Sequence, residues 1–289
     1  KGRGRKIRII YTAHDSQLVC PNHMMQNPLS GRTCTKCMES GLKNCIMGRC
    51  IHGSISKSIL GALEGWLYKR MRTYRYIDAI ICPSFFLKSR LQTDEELKEK
   101  VVVMHNFINM TDVGGNIWKK ENYILYFGRY SAEKGIGTLL KVCKSLPEIP
   151  FVFAGDGPLA GEVELCSNIE NKGFLNGNEL YETIWKAQFA IIPSEWYENC
   201  PFSVMEAISC GTPVLGANIG GIPELIEQGV TGELFESGSG EDLYRKIQFL
   251  WENKDKLSEY SMNCRIKRFD TVEEYCEKLL LLYRKENLA

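Results

Sequence analysis

The sequence predicts an α/β protein with two doubly wound parallel-sheet domains, the first of them incomplete. Short apolar runs alternate with polar or glycine-containing turns and helical stretches, which is typical of parallel strands joined by right-handed crossovers. This alternation stops once, in the polar stretch Met110–Glu121, which has no period. The length of 289 residues is enough for two modest cores.

The first domain is predicted over residues 1–116. Its predicted strands are Lys6–Thr12, Ala79–Cys82 and Val101–Met104, and its predicted helices are Ser54–Tyr76 and Phe85–Leu91. A doubly wound domain usually has five or six strands. We therefore expect part of this domain to be missing from the chain.

The second domain is predicted over residues 117–270, followed by a closing helix in 271–289. The predicted strands are Tyr123–Phe127, Phe151–Ala154, Ile169–Phe174, Phe189–Pro193 and Pro213–Leu215. The predicted helices are Gly135–Ser145, Leu159–Cys166, Glu179–Lys186, Phe202–Ser209, Ser239–Asn253 and Thr271–Asn287.

The composition excludes several classes of protein. The net charge of +1 lacks the basic excess of a nucleic-acid-binding protein, so no nucleic-acid partner is expected. No apolar run reaches about 18 residues, and residues 1–6 lack the apolar segment of a secretory signal. Of the twelve cysteines, four lie between residues 34 and 50 and the others are scattered. This distribution favours a reduced, cytoplasmic enzyme over a disulfide scaffold.

Polar residues follow the predicted strands of the second domain, where open α/β sheets bind ligands. Arg129 and Lys134 come after the first strand and can hold a diphosphate; a solvated loop with a Glu at a helix start is the alternative. The turn Gly155-Asp156-Gly157-Pro158 follows the second strand and allows close approach of a backbone to a ligand.

The strongest pattern follows Phe189–Pro193. Glu198 lies in the loop and Pro201 suits the first turn of a helix, so the N–H groups of Phe202, Ser203 and Val204 are predicted to face an anion. Glu206 lies on a helix with apolar neighbours, where a carboxylate needs a partner. Sugar and ribose hydroxyls are suitable partners for both carboxylates.

The motif Glu198-x7-Glu206, followed by Ala207-x3-Gly211-x-Pro213-Val214, resembles the retaining glycosyltransferases of family 4. Gly128-Arg129…Glu133-Lys134-Gly135, Ala154–Pro158 and Gly220–Glu224 are similar to other motifs of that family, in the same order. The resemblance runs from about residue 5 to the end of the chain. It implies the GT-B fold, in which two Rossmann-like domains face a cleft.

The resemblance also implies residue roles. Arg129 and Lys134 would bind the donor diphosphate and stabilise the leaving group, while Glu198 and His14 would position the sugar. Glu206 would take the ribose hydroxyls, and the helix in 271–289 would cross back to the first domain. The remaining implied donor-binding residues, around the base and the phosphates, are Gly128, Gly155, Gly157, Gly173, Phe174, Asn199, Cys200, Pro201, Phe202 and Ser203.

The function implied is hexosyl transfer from a UDP- or GDP-sugar to a glycan or lipid-linked acceptor, with retention of configuration and without a catalytic metal. The implied setting is polysaccharide or glycolipid synthesis at the cytoplasmic face of a membrane. The family's first strands and its glycine-rich acceptor loop are not found. Two alternatives stay open: a non-catalytic donor-binding module, and a GT-B enzyme of another kind, such as a sugar-nucleotide epimerase or a phosphorylase.

Two features of the first domain are interpreted separately from the family resemblance: a cysteine cluster and a basic helix. The spacing Cys34-x2-Cys37-x7-Cys45-x4-Cys50 can supply four thiolates to a structural zinc, with Cys20, His23 and His52 nearby as substitutes. Free thiols or local disulfides are the alternative. The helix Ser54–Tyr76 mixes apolar residues with five cations, which indicates either an ordinary solvated face or an anionic membrane or lipid-diphosphate partner.

Overall fold

The computed structural model describes residues 7–108 and 119–284. It divides the chain into two compact units, Lys1–Phe107 with Asp270–Ala289 and Ile108–Phe269. The boundary predicted between residues 116 and 117 lies outside the described residues, as do the predicted start of the first strand at Lys6 and the predicted end of the last helix at Asn287.

The described residues form nine strands and twelve α-helices. The strands are β1 (Ile10–Thr12), β2 (Ala79–Cys82), β3 (Val101–Val103), β4 (Ile124–Phe127), β5 (Phe151–Ala154), β6 (Ile169–Asn171), β7 (Phe189–Ile192), β8 (Val214–Ala217) and β9 (Gly232–Phe235). The helices are α1 (Lys36–Ser40), α2 (Lys43–Met47), α3 (Ile55–Arg70), α4 (Phe85–Leu91), α5 (Ile136–Lys144), α6 (Ala160–Glu164), α7 (Gly177–Lys186), α8 (Phe202–Ser209), α9 (Ile222–Leu225), α10 (Gly240–Glu252), α11 (Lys254–Ile266) and α12 (Val272–Arg284).

The first unit contains a parallel three-stranded sheet with the order β1-β2-β3. All four residues of the central strand β2 are buried, which is why it reads as a continuous apolar run. Leu87 and Leu91 of α4 pack in the same core. Ile81 of β2 contributes to a second apolar cluster that includes Leu282 of α12, so the closing helix packs within this unit.

Helix α3 is shorter than the sequence predicts. Its first turn is capped as expected, because the Ser54 side chain accepts a hydrogen bond from the backbone N–H of Lys57. The prediction that it continues to Tyr76 is wrong. Arg72 has a left-handed backbone with φ of 50°, which breaks the helix after Arg70, and a 3-10 turn covers Thr73–Tyr76.

The second unit contains a parallel six-stranded sheet with the order β6-β5-β4-β7-β8-β9. The chain runs outward from β4 in one direction and then returns to its other side with β7. The strand order therefore reverses between β4 and β7, and parallel α/β sheets bind their ligands beyond the carboxyl ends of the strands at such a reversal. Strand β9 and the helices α1, α2, α9 and α11 were not predicted from the sequence.

Candidate functional site

The candidate site lies in the second unit, where β4 and β7 end side by side. Arg129 and Lys134 follow β4, and Glu198 follows β7, so residues 64 positions apart in the sequence meet at the reversal of strand order. The three side chains belong to loops that leave the same edge of the sheet, because all its strands are parallel.

Backbone hydrogen bonds join the loops after β4, β5 and β6. Tyr130 donates its backbone N–H to the carbonyl of Asp156 at 2.8 Å, and Gly155 donates to the carbonyl of Gly173 at 2.8 Å. The glycines permit this closeness. A Cβ on Gly155 would lie 1.9 Å from the Gly128 carbonyl oxygen, and one on Gly157 would lie 2.5 Å from that of Tyr130. These glycines shape the loop that carries Arg129.

The two predicted cations differ in their surroundings. Arg129 is exposed, and its guanidinium has no hydrogen-bond or ionic partner among the described residues. Lys134 is part-buried, and Gly135 behind it turns the chain with φ of 74°. A Cβ at Gly135 would lie 1.8 Å from the carbonyl oxygen of Pro193, so this turn lies directly against the end of β7.

An ion pair connects the two sides of the site. Lys134 Nζ lies 2.6 Å from Glu198 Oε1, and the Ser194 hydroxyl donates to the same oxygen at 2.8 Å. The Glu198 side chain is only 10% exposed, against 29% for Lys134. Lys134 Nζ also lies 5.3 Å from the centre of the Trp196 ring. The carboxylate is thus fixed in place, while the ammonium remains open to solvent on one side.

The backbone of Glu198 is fixed by Gly220 and Gly221. Gly221 donates its N–H to the Glu198 carbonyl at 2.7 Å, and a Cβ on Gly220 would lie 2.3 Å from the same oxygen. Gly220 has a φ of 60°, which favours glycine. The sequence indicated these glycines as a family motif but not their contact with Glu198, and it gave no signal for Ser194 or Trp196.

Helix α8 begins one residue after Pro201, as predicted. No side chain caps its first turn, so the N–H groups of Phe202 and Ser203 stay available for a ligand. The prediction is wrong for Val204, because its N–H donates to the Pro201 carbonyl at 3.2 Å in the tight first turn. Cys200 is buried against the sulfur of Met205, whereas Phe202 is half exposed. Asn199 lies between Glu198 and this helix start.

Glu206 lies one turn inside α8 and is half-buried. Burial raises the pKa of its carboxyl above the ordinary value, and the described residues offer this carboxylate no hydrogen-bond or ionic partner. A polar group left in this state lowers the stability of the fold unless a ligand satisfies it. Glu206 is therefore suited to accept hydroxyl hydrogen bonds from outside the protein.

We predict that Glu206→Gln weakens binding of the nucleotide-sugar donor that the motif resemblance implies, without lowering the stability of the free protein. Loss of the charged hydrogen bonds that the ribose of this donor would make should raise the donor Kd about 10- to 100-fold, on the order of 1.5–3 kcal/mol. Because the folded pKa of Glu206 is raised, wild-type stability falls as pH rises from about 4.5 through that pKa. The Glu206→Gln variant does not ionise at this position, so its stability does not fall in this way.

Urea unfolding at pH 5 and pH 7.5 and calorimetry with the donor measure the two effects. Glu252→Gln, an exposed site at the end of α10, is the matched control. A variant that unfolds more easily than wild type at pH 7.5 but keeps donor affinity contradicts the prediction.

The other predicted residues lie in three places. Gly173, with φ of 65°, and Phe174, 76% exposed, follow β6 next to the Gly155 loop. His14 lies in the first unit, two residues after β1. Cys34, Cys37, Cys45 and Cys50 also lie in the first unit, where they line one cavity together with Cys20; the exposed His23 and His52 do not line it.

The family model "Glycosyl transferases group 1" matches residues 108–267 of the chain. Among curated proteins, the chain is 28% identical over 211 residues to an uncharacterised glycosyltransferase of Methanocaldococcus jannaschii, which covers 71% of this chain and 58% of that protein. It is 35% identical over 138 residues to the sulfoquinovosyl transferase SQD2 of Arabidopsis thaliana, which covers 46% of this chain and 27% of that protein.

Solved structures give the same fold. Anabaena HepE in complex with UDP has a TM-score of 0.66 at 19% identity, over 96% of this chain and 72% of HepE. A TarM mutant of S. aureus in complex with fondaparinux, alpha-GlcNAc-glycerol and UDP has a TM-score of 0.64 at 20% identity, over 73% of this chain and 45% of TarM. The predicted α/β fold with Rossmann-like parallel sheets, of GT-B type, is thereby confirmed.

Proposed function

Because the chain belongs to the glycosyl transferases group 1 family, we propose that it binds a nucleotide sugar and transfers the hexosyl group to a glycan or lipid-linked acceptor with retention of configuration. The observation that carries this proposal is the Lys134–Glu198 pair at 2.6 Å, set beside the start of α8 at the reversal of strand order. A cation can bind phosphate oxygens, and a carboxylate can accept hydrogen bonds from sugar hydroxyls.

The proposed donor lies with its diphosphate against the first turn of α8, near Arg129 and Lys134. Backbone N–H groups and two cations bind phosphate oxygens without any metal ion. Glu206 accepts the ribose hydroxyls and Glu198 accepts hydroxyls of the sugar. Donor binding takes Lys134 from Glu198 to the phosphates, which leaves the fixed carboxylate open to the sugar.

The proposed reaction takes place on one face of the sugar. The bond between the anomeric carbon and the diphosphate oxygen breaks while the acceptor oxygen attacks from the same side, and the acceptor proton passes to the departing phosphate. Arg129 and Lys134 stabilise the negative charge that develops on that phosphate. Contact of His14 with the sugar stays a prediction, and His14→Asn tests it.

A panel of UDP-, GDP- and ADP-sugars tests the proposal. A true donor at about 100 times its Kd should stabilise the protein by about 2.7 kcal/mol in thermal unfolding. Product analysis with the bound donor separates the alternatives. Conversion of the sugar nucleotide without an acceptor indicates an epimerase, and binding without turnover on any acceptor indicates a donor-binding module. No stabilisation by any nucleotide sugar contradicts the proposal.

We further propose that helix α3 brings the enzyme to an anionic membrane surface, where a lipid-linked acceptor resides. Only Ser58 and Ala62 of this helix are buried. Its exposed large apolar side chains include Leu60 (67%), Leu63 (54%) and Trp66 (58%). An apolar strip of this kind on a basic helix suits the interface of a bilayer. In the described part of the chain, no helix is long and apolar enough to cross a membrane.

The charges of α3 favour an anionic surface. Lys69 pairs with Asp94 at 2.9 Å and so contributes little. Lys57 and Arg70 are exposed and have no ionic partner among the described residues. The helix also carries one exposed carboxylate, Glu64, so its three cations leave a positive excess. Together with the apolar strip, Lys57 and Arg70 give a surface that is attracted to acidic headgroups and can bury side chains beneath them.

We predict that Trp66→Glu lowers binding to vesicles of phosphatidylcholine with phosphatidylglycerol by about tenfold or more, because it removes the largest apolar contact and adds repulsion. Vesicle sedimentation measures the binding. Ile266→Glu, at a 79% exposed position of α11, is the matched control. Equal binding of both variants contradicts the prediction, and so does an oligomer in solution that Trp66→Glu dissociates, since a second copy would then cover this face.

A further inference from the structure

The first unit contains one small cavity lined by five thiols. They are Cys20, Cys34, Cys37, Cys45 and Cys50. The sequence spacing grouped the last four, and the fold adds Cys20, which lies 14 residues before Cys34 in the chain. The space left between the thiols is about 10 Å³, close to the minimum that holds one water molecule. A space of this size suits a single ion.

Hydrogen bonds fix the segments that carry these thiols. The Cys20 thiol donates to Asn22 Oδ1 at 2.9 Å, and Asn22 Nδ2 donates to the Cys50 carbonyl at 3.4 Å. The backbone N–H of Cys50 donates to the Cys45 carbonyl at 3.0 Å. A Cβ on Gly48 would lie 2.9 Å from Cys50 Sγ, so a larger residue there would displace that thiol. Chain segments distant in sequence are thus held around one point.

The segment between β1 and α3 is largely irregular. It spans residues 13–54 and contains only the two five-residue helices α1 and α2. Four of its non-glycine residues have left-handed backbones, namely His23, Met25, Arg49 and His52. Each such residue costs free energy and persists only where its surroundings impose it. A metal ion bound by cysteines from several parts of this segment would act as a local cross-link.

The chemistry of the cavity suits a cation. Five thiols line it, and several thiolates cannot be close together at neutral pH without positive charge among them. A divalent cation supplies that charge and displaces the protons.

We propose that this five-thiol cavity binds one thiophilic divalent cation of the zinc type, with Cys37 and three of the other four cysteines as tetrahedral ligands. In residues 7–108 and 119–284, no group of three or more His, Cys, Asp or Glu side chains is already arranged around a metal position. Binding therefore requires the thiols to turn inward, and a cysteine does so by rotation about one bond. The ion is structural, because four protein ligands leave no open coordination position.

Metal analysis of protein expressed with zinc and purified under reducing conditions tests the proposal. We expect about one zinc per chain and its loss from Cys37→Ser. Cys276→Ser, at the exposed cysteine of α12 in the same unit, should keep it. A thiol reagent should react with four of the five cysteines only after a chelator is added. Zinc at wild-type content in Cys37→Ser overturns the proposal.

A second measurement covers the case in which Cys37→Ser fails to fold. Wild-type protein stripped of metal and titrated with cobalt should develop the charge-transfer absorption of a cobalt–thiolate site, saturating at one ion per chain. Folded wild type without metal and without this absorption overturns the proposal. Iron with acid-labile sulfide also overturns it, since the cavity would then hold a cluster. None of these outcomes depends on donor binding in the second unit.

Discussion

Arg129→Ala is expected to lower sugar transfer, or donor hydrolysis where no acceptor is present, by roughly 100- to 1000-fold. The proposed role of Arg129 is to hold a positive charge next to the departing phosphate, and removal of one such stabilising group usually has an effect of this size. Thermal stability should change little, within about 0.5 kcal/mol, because the side chain is exposed and has no partner in the described part of the chain.

The control for this prediction is Arg245→Ala. Arg245 is also exposed, and the ion-pair partner of its guanidinium among the described residues is Asp242, three residues earlier on α10. It should keep both turnover and donor affinity. If Arg129→Ala retains wild-type turnover and donor Kd while Arg245→Ala behaves in the same way, the proposed phosphate role of Arg129 is wrong.

Unlike Arg129, Lys134 is expected to contribute to stability as well as to catalysis. Its removal leaves the Glu198 carboxylate, only 10% exposed, without a cation. Such a loss destabilises a protein by about 1–3 kcal/mol in addition to any effect on catalysis. A second change, Glu198→Gln, removes the unpaired charge and should restore stability but not turnover. Removal of the exposed Arg129 is thus expected to leave stability nearly unchanged, whereas removal of the part-buried Lys134 lowers it. Both side chains have the same proposed role in catalysis.

Local signals in the sequence predicted the elements that depend on them. Ser84 caps α4 and Pro201 precedes α8, and both helices have the predicted bounds. Strand β2 was also predicted with its observed bounds, because all its residues are apolar and buried. Where one cap or one apolar run defines an element, the sequence is sufficient.

Elements that depend on distant partners were missed. Strand β9 contains a glycine and the buried Glu233, which does not resemble a strand residue. Glu233 is satisfied by Lys246 at 2.9 Å and by the Tyr260 hydroxyl at 2.6 Å, both far along the chain. Helix α11 was missed because Leu257, Tyr260 and Cys264 form a narrow buried face among polar residues.

The candidate site shows the same division. The sequence predicted Arg129, Lys134 and Glu198 as separate signals after two strands. It could not predict that the cation and the carboxylate pair directly, since the contact depends on β4 and β7 being neighbours in the sheet. The addition of Cys20 to the four clustered cysteines has the same origin. Tertiary contacts, and not local propensity, bring these side chains together.

Gly135→Ala is expected to damage both the fold and the site. The left-handed backbone at this position costs an alanine about 1–2 kcal/mol. The added Cβ would lie 1.8 Å from the Pro193 carbonyl oxygen, so the turn must also move away from β7. That movement separates Lys134 from Glu198, because the first follows β4 and the second follows β7. Donor affinity and turnover should fall together with thermal stability.

Gly137→Ala is the matched control, two residues later in α5. No atom lies within 4 Å of a Cβ at this position, and an alanine inside a helix is favoured over glycine by about 0.5–1 kcal/mol. This variant should be slightly more stable than wild type and fully active. Thermal unfolding and donor calorimetry on both variants decide the question. If Gly135→Ala unfolds at the wild-type temperature and binds donor normally, the prediction is wrong. The turn then does not position Lys134 against Glu198 for donor binding.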